Sequence, residues 1–237
     1  YPGSAVREGS PAWSPDSERI VYYAEQPGGK ADLFVMKADG TEVAPLTRTD
    51  DADEGGPTFS PDGRSIAFDT DRDGNFEIYL LDLATRQARR LTNDRGRDVA
   101  PAWSPDGTRI AFMSDRASAP AFDVFVMDAD GQNVSKLTEN GTYWFPQFSG
   151  DGLQLAFHVS RDVHVMDVAT KTLRRLTTDP DNGMYPTWSP DGRQIAFMSW
   201  RNGRTEIFVM DSDGANQRVL VSTAAGSAIL KPPATLR

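Results

Sequence analysis

The groups able to do chemistry in this 237-residue chain are almost all carboxylates: 34 Asp and Glu stand beside two histidines and no cysteine. The missing cysteines remove disulfides, thiolate metal sites and a cysteine nucleophile. A pair of carboxylates can serve as acid and base on a glycosidic bond, and a cluster of them can hold Ca²⁺. Most of the acids, however, recur at one place in a repeated phrase, as Asp16, Asp62, Asp106, Asp151 and Asp191. A residue that every copy of a turn requires is poor evidence of chemistry. The stretch from Asp69 to Asn75, DTDRDGN, opens like a calcium loop. The twelfth position, where an EF-hand needs a bidentate glutamate, is Leu80, so a hairpin turn is expected instead. Neither a G-x-S-x-G elbow nor an H-E-x-x-H helix is present. His164 falls where other copies of the phrase carry Phe34, Tyr79, Phe125 and Phe208, and is expected to replace a packed ring. His158 aligns with Tyr23, Asp69, Met113 and Met198, a variable position. On these residues no catalytic group, metal ligand or cofactor is assigned.

Charge narrows the partners. Lys and Arg number 25, giving a formal net charge of −9. Nucleic-acid binding rests on neutralising phosphates, so it is disfavoured, and an anionic membrane surface is disfavoured for the same reason. No apolar run reaches the length of a membrane span. The chain starts at Tyr1 rather than Met, which suggests that a segment upstream has been removed.

The elements that must position these groups are legible as a repeat. Pro11, Pro57, Pro101, Pro146 and Pro186 each precede a repeated aromatic by two residues: Trp13, Phe59, Trp103, Phe148 and Trp188. A period between 40 and 50 residues marks solenoids and propellers. One unit reads as strand (PAWS), type I turn (SPDG), strand (RIAFMS), strand (DVFVMD), Asp-Gly turn and a polar last strand (VSKLT). No stretch sustains a helical period. A four-stranded sheet of this size cannot bury both faces alone, whereas radial stacking buries them. The predicted fold is an all-β propeller of four-stranded antiparallel blades, five blades being preferred and six the alternative. It occupies 1–237 as one domain, with repeats at about 8–50, 54–95, 98–138, 143–179 and 183–221. The ends, 1–7 and 222–237, are expected to seal the ring.

The phrases WSPDGTRIAFMSDR (from Trp103) and DTDRDGNFEIYLLD (from Asp69) resemble the WD40-like repeats of the TolB type, called PD40. The likeness covers all five units. Ser17 stands where the turn glycine belongs, and Gly150 replaces the turn proline. The resemblance implies a binding platform of the bacterial envelope, periplasmic or secreted, with a lipoprotein as the precedent partner. The N-terminal domain that accompanies the propeller in TolB is absent from this sequence. The hydrolase domain of prolyl peptidases, which carry similar propellers, is absent too.

Where the repeats disagree, a site is expected. The segments entering the innermost strands should lie at one mouth of the channel. Three residues before each proline stand Glu8, Glu54, Asp98, Tyr143 and Gly183, and just before the last two prolines come Trp144–Phe145 and Met184–Tyr185. The expected mouth is therefore acidic over the first three blades and aromatic over the last two. Its ligand-binding residues are Glu8, Glu54, Asp98, Tyr143, Trp144, Met184 and Tyr185. Such a surface suits a protein or peptide partner of a monomeric, non-catalytic module; the alternative is a glycan. A Ca²⁺ ion between Glu8, Glu54 and Asp98 would need more oxygens. A glycoside hydrolase or lyase would need an acid/base pair among Glu8, Glu54, Asp98 and His158. The pairs Arg72/Glu77, Arg116/Asp123 and Arg201/Glu206 are expected to brace one hairpin in three units.

Overall fold

In a computed structural model of the chain, residues 8–25, 29–117, 119–139, 141–178, 183–201 and 204–222 are described. They form five separate four-stranded antiparallel meanders. Blade one contains β1 (Glu8–Trp13), β2 (Arg19–Glu25), β3 (Ala31–Lys37) and β4 (Ala44–Pro45). Blade two contains β5 (Glu54–Phe59), β6 (Ser65–Thr70), β7 (Glu77–Asp82) and β8 (Ala88–Arg90). Blade three contains β9 (Asp98–Trp103), β10 (Arg109–Ser114), β11 (Asp123–Asp128) and β12 (Ser135–Lys136). Blade four contains β13 (Tyr143–Phe148), β14 (Gln154–Val159), β15 (Asp162–Asp167) and β16 (Leu173–Arg175). Blade five contains β17 (Met184–Trp188), β18 (Gln194–Arg201), β19 (Arg204–Asp211) and β20 (Arg218–Ser222). The architecture is a β-propeller of five blades. Of the ends expected to seal it, 1–7 and 222–237, all but Ser222, the last residue of β20, lie outside the described residues.

The repeated turn explains the repeated aspartate. Asp106 accepts the Ser104 hydroxyl at 2.6 Å and the Thr108 amide at 3.0 Å, while Gly107 takes a left-handed φ of 70° and donates to the Ser104 carbonyl. Hydrogen bonds from Ser104 hold the Asp106 carboxyl down at about 2. The same bonds recur at Asp16, Asp62, Asp151 and Asp191. Ser17 adopts the glycine conformation, φ 61°, so the first turn keeps its shape without its glycine. Where Gly150 replaces the proline, Gly152 still closes the turn at φ 71°.

Packing between blades forms the core. Phe68 and Tyr79 of blade two meet Val21 and Leu33 of blade one. Phe112 and Phe125 of blade three meet Ala67 and Ile78 of blade two. Two further clusters join blades three to four and four to five. Each fully buried ring contributes roughly 1.5–3 kcal/mol. Among the described residues no core cluster joins blade five to blade one. Accordingly, Trp13 is 57% exposed where its counterparts Phe59 and Phe148 are 6% and 8%. On the opposite end, Ala196, Met198 and Ile207 are half-buried where Ala111, Met113 and Val124 are buried.

Candidate functional site

Each innermost strand carries a bulge, seen as a register shift between Gly9 and Ala12, Gly55 and Thr58, Trp144 and Gln147, and Met184 and Thr187, and opposite Ala111–Met113 in blade three. The residue before the proline is thereby turned left-handed: Ser10, Gly56, Ala100, Phe145 and Tyr185 all have φ between 49° and 54°. A bulge takes an amide out of the ladder, and a buried amide needs a partner. The neighbouring blade supplies it. Ala100 N–H donates to Asp69 Oδ2 at 2.9 Å, Phe145 N–H to Met113 Sδ at 3.1 Å, and Tyr185 N–H to His158 Nδ1 at 3.3 Å. The variable position after each IAF-type triplet thus performs one recurring task with three different acceptors.

These innermost strands surround a cleft of about 520 Å³, with walls drawn from blades one to four. Tyr23, Lys30, Glu54, Asp69, Trp144 and Phe145 line it. The bulge decides which sequence-predicted residues reach it. Of the residues three before the proline, Gly183 precedes its strand, whereas Glu54, Asp98 and Tyr143 are paired strand positions, opposite Thr70, Ser114 and Val159. Glu54 lines the cleft, but its side chain is buried and bound to Arg72 Nη2 at 2.5 Å and to the Thr47 hydroxyl. Burial pushes its carboxyl up, and Thr47 and Arg72 oppose the shift. Asp98 is likewise buried against Arg116 Nη2 at 2.5 Å, and burial raises its carboxyl to about 6. Tyr143 is core: its ring meets Phe157 edge-on at 5.4 Å and its hydroxyl donates to the Glu139 carbonyl. Glu8 is exposed at the start of β1. Met184 is half-buried opposite Met198.

The expected Arg72/Glu77 and Arg116/Asp123 braces are differently wired. Arg72 and Arg116 turn to Glu54 and Asp98 on the innermost strands, stacking on Tyr79 (4.7 Å) and Phe125 (5.1 Å) on the way. Glu77 instead takes Arg90 at 2.8 Å and the Thr92 hydroxyl, and Asp123 takes Lys136 at 2.9 Å. The side chain of Arg201 lies outside the described residues. The DTDRDGN stretch is a hairpin turn closed by Gly74 N–H on the Asp71 carbonyl. Among the described residues no three acidic or histidine side chains converge as metal ligands.

On the other side the rim is aromatic. Trp144 packs on Phe122 at 5.5 Å, Phe145 on Tyr185 at 4.9 Å, and His158 on Tyr185 at 5.3 Å. Tyr185 remains 50% exposed. Burial pushes His158 down to about 4, so its ring is neutral, with Nδ1 accepting and Nε2 carrying the proton. His164, as expected, replaces a ring, opposite Phe157. Tyr23, Lys30 and Asp69 line the cleft although none was expected at the mouth, and Phe145, expected only within its aromatic side, is the left-handed residue. For Tyr23 and Asp69 the signal was the variable column after the IAF-type triplet.

No helix among the described residues is long and apolar enough to cross a membrane. The TolB β-propeller domain profile, PD40, matches residues 10–158 and 140–234. The Tol-Pal system protein TolB of Francisella tularensis subsp. tularensis (strain WY96-3418) is 27% identical over 194 residues, which is 79% of this chain and 45% of that protein. The crystal structure of TolB from Acinetobacter baumannii superposes with a TM-score of 0.79 at 29% identity, covering 91% of this chain and 54% of that one. An oligogalacturonate lyase in complex with manganese shares the fold alone: TM-score 0.69, 15% identity, 93% of this chain and 68% of that one. The chain thus spans about half the length of these two TolB proteins. Profile, register and blade order agree, and the chain belongs to the TolB β-propeller family.

Proposed function

We propose that this chain is a non-catalytic binding propeller of the bacterial envelope that recognises a protein or peptide segment at its axial cleft. One observation carries the reading. Trp144, Phe145 and Tyr185 form a continuous aromatic wall that the blade motif does not demand, beside a cleft lined by carboxylates. Rings of this kind, half-buried and rigid, are the usual anchors of protein recognition. The Tol-Pal membership of its relatives points the same way. The groups an enzyme would need are already engaged: Glu54 with Arg72, Asp98 with Arg116, and His158 Nδ1 with an amide.

The test is a displayed peptide library selected on the full chain and counter-screened on a Trp144→Ala/Tyr185→Ala double variant. Selected peptides should bind the parent and lose about tenfold or more in affinity on the variant, with thermal unfolding little changed. Loss of folding in the double variant would make the rings core. Selection of glycans on an array, with no peptides from the library, would replace the reading with carbohydrate recognition.

A further inference from the structure

Six acids are buried among the described residues: Glu54, Asp69, Glu77, Asp98, Asp115 and Asp123. Five have a basic partner: Arg72, Arg90, Arg116, Arg97 and Lys136 in the order Glu54, Glu77, Asp98, Asp115, Asp123. Asp69 has none. It is 7% exposed, its Oδ2 accepts the Ala100 amide, and no hydrogen bond to Oδ1 is found among the described residues. It lines the axial cleft beneath two consecutive glycines. A Cβ on Gly55 would lie 2.9 Å from Asp69 Oδ1, and one on Gly56 2.5 Å from Oδ2, so the missing side chains leave the carboxylate approachable. The nearby cation does not serve it: Lys30 is 2.7 Å from Asp53. Glu54 adds a second negative charge that opposes ionisation of Asp69. A buried carboxylate with no counter-ion is costly, and the other copies of this position are Tyr, Met, His and Met.

We infer that the axial cleft receives an arginine side chain of a bound peptide segment, with Asp69 as the counter-ion and Trp144 and Phe145 as the apolar wall. The inference rests on the docking reading above and deepens it. Arginine fits better than a compact ammonium because a planar guanidinium can pair with a carboxylate and lie against a ring together. Blade packing already uses both contacts for Arg72, which pairs with Glu54 and stacks on Tyr79.

The experiment is an amide and indole NMR titration of the full chain at about pH 7.5, where a free aspartate is ionised. The probes are acetyl-Gly-Gly-Arg-Gly-Gly-amide and its citrulline counterpart, which keeps shape and loses charge. The arginine peptide should shift the Ala100 amide and the Trp144 indole saturably, and the citrulline peptide should bind about tenfold more weakly or worse. Asp69→Asn, and Asp69→Met after the residue of blade three, should each erase that difference. Equal affinity for the two peptides, unchanged arginine affinity in both variants, no saturation, or the same shifts with Ca²⁺ alone would overturn the inference. The comparison of the two peptides on the parent chain needs no variant, so misfolding of both cannot shield it. If library peptides bind through Trp144 and Tyr185 while arginine and citrulline are indistinguishable, the arginine reading falls and the docking reading stands.

Discussion

The two sides of the channel rim solve one backbone problem with opposite electrostatics. Between blades two and three the bulge amide is taken by Asp69; between blades four and five an equivalent amide is taken by His158. Both acceptors are buried, and burial acts in opposite directions on an acid and a base. Asp69 is pushed up to about 6, and His158 is pushed down to about 4. Position in the fold therefore fixes the hydrogen bond, while residue type fixes how the site answers to pH. The acid side is also tied to its own blades by arginines, whereas the aromatic side is held by ring contacts.

The comparison breaks most severely where an arginine is removed. Arg116→Met leaves the Asp98 carboxylate buried without its cation, and unfolding in urea at neutral pH should show a loss of about 3–5 kcal/mol. The double variant Arg116→Met/Asp98→Asn should recover much of it; no recovery would mean that Arg116 acts through packing on Phe125 rather than charge.

Next in size are the opposed pH responses. His158 is neutral when folded, so the unfolded chain binds the extra proton between the ordinary pKa of 6.5 and about 4. Its contribution is whole above 6.5 and lost as pH falls through 4. Asp69 runs the other way: its contribution is whole below 3.8 and lost as pH rises through 6. Each response amounts to up to about 3 kcal/mol for a displacement of two pH units or more. His158→Met should abolish the loss on acidification between pH 6.5 and 4, and Asp69→Met should steepen it. Parallel stability curves for the two variants would contradict the assignment.

The smaller effects sit in the bulges. Gly56→Ala drives a Cβ to 2.5 Å from Asp69 Oδ2 on a left-handed backbone, so a loss of about 1–2 kcal/mol is expected. Ala100→Gly, at the same place in blade three with φ 54°, removes that strain and should add about 0.5–1 kcal/mol. Thermal unfolding of the pair reads both signs.

Much of the scaffold is local and therefore written in the chain. The SPDG turn closes within six residues, so Ser104, Asp106, Gly107 and Arg109 announce it, and the phase of the five prolines gives the blades. The site depends on separations the pattern does not encode. Asp69 meets Ala100 across 31 residues, and Arg72 reaches Glu54 across 18 rather than the nearer Glu77. Above all, a bulge changes which side of the strand faces the channel. Counting back three from proline therefore finds Glu54, Asp98 and Tyr143, which pack into blades, while the residue directly before the proline, Phe145 or Tyr185, faces the cleft or its rim. The composition of the mouth was legible; its inward and outward faces were not.

Trp13 and the half-buried row Ala196, Met198 and Ile207 mark where, among the described residues, the succession of mutually shielding sheets stops. In such an array each sheet borrows half of its protection from a neighbour, and a terminal one has a single lender. Opening under mild denaturant should then peel inward from the flanks: amide protons of β2 and β18 would exchange first, and those of β10 last. The walls of the cleft drawn from blades two to four would then outlive the wall from blade one, where Tyr23 and Lys30 sit.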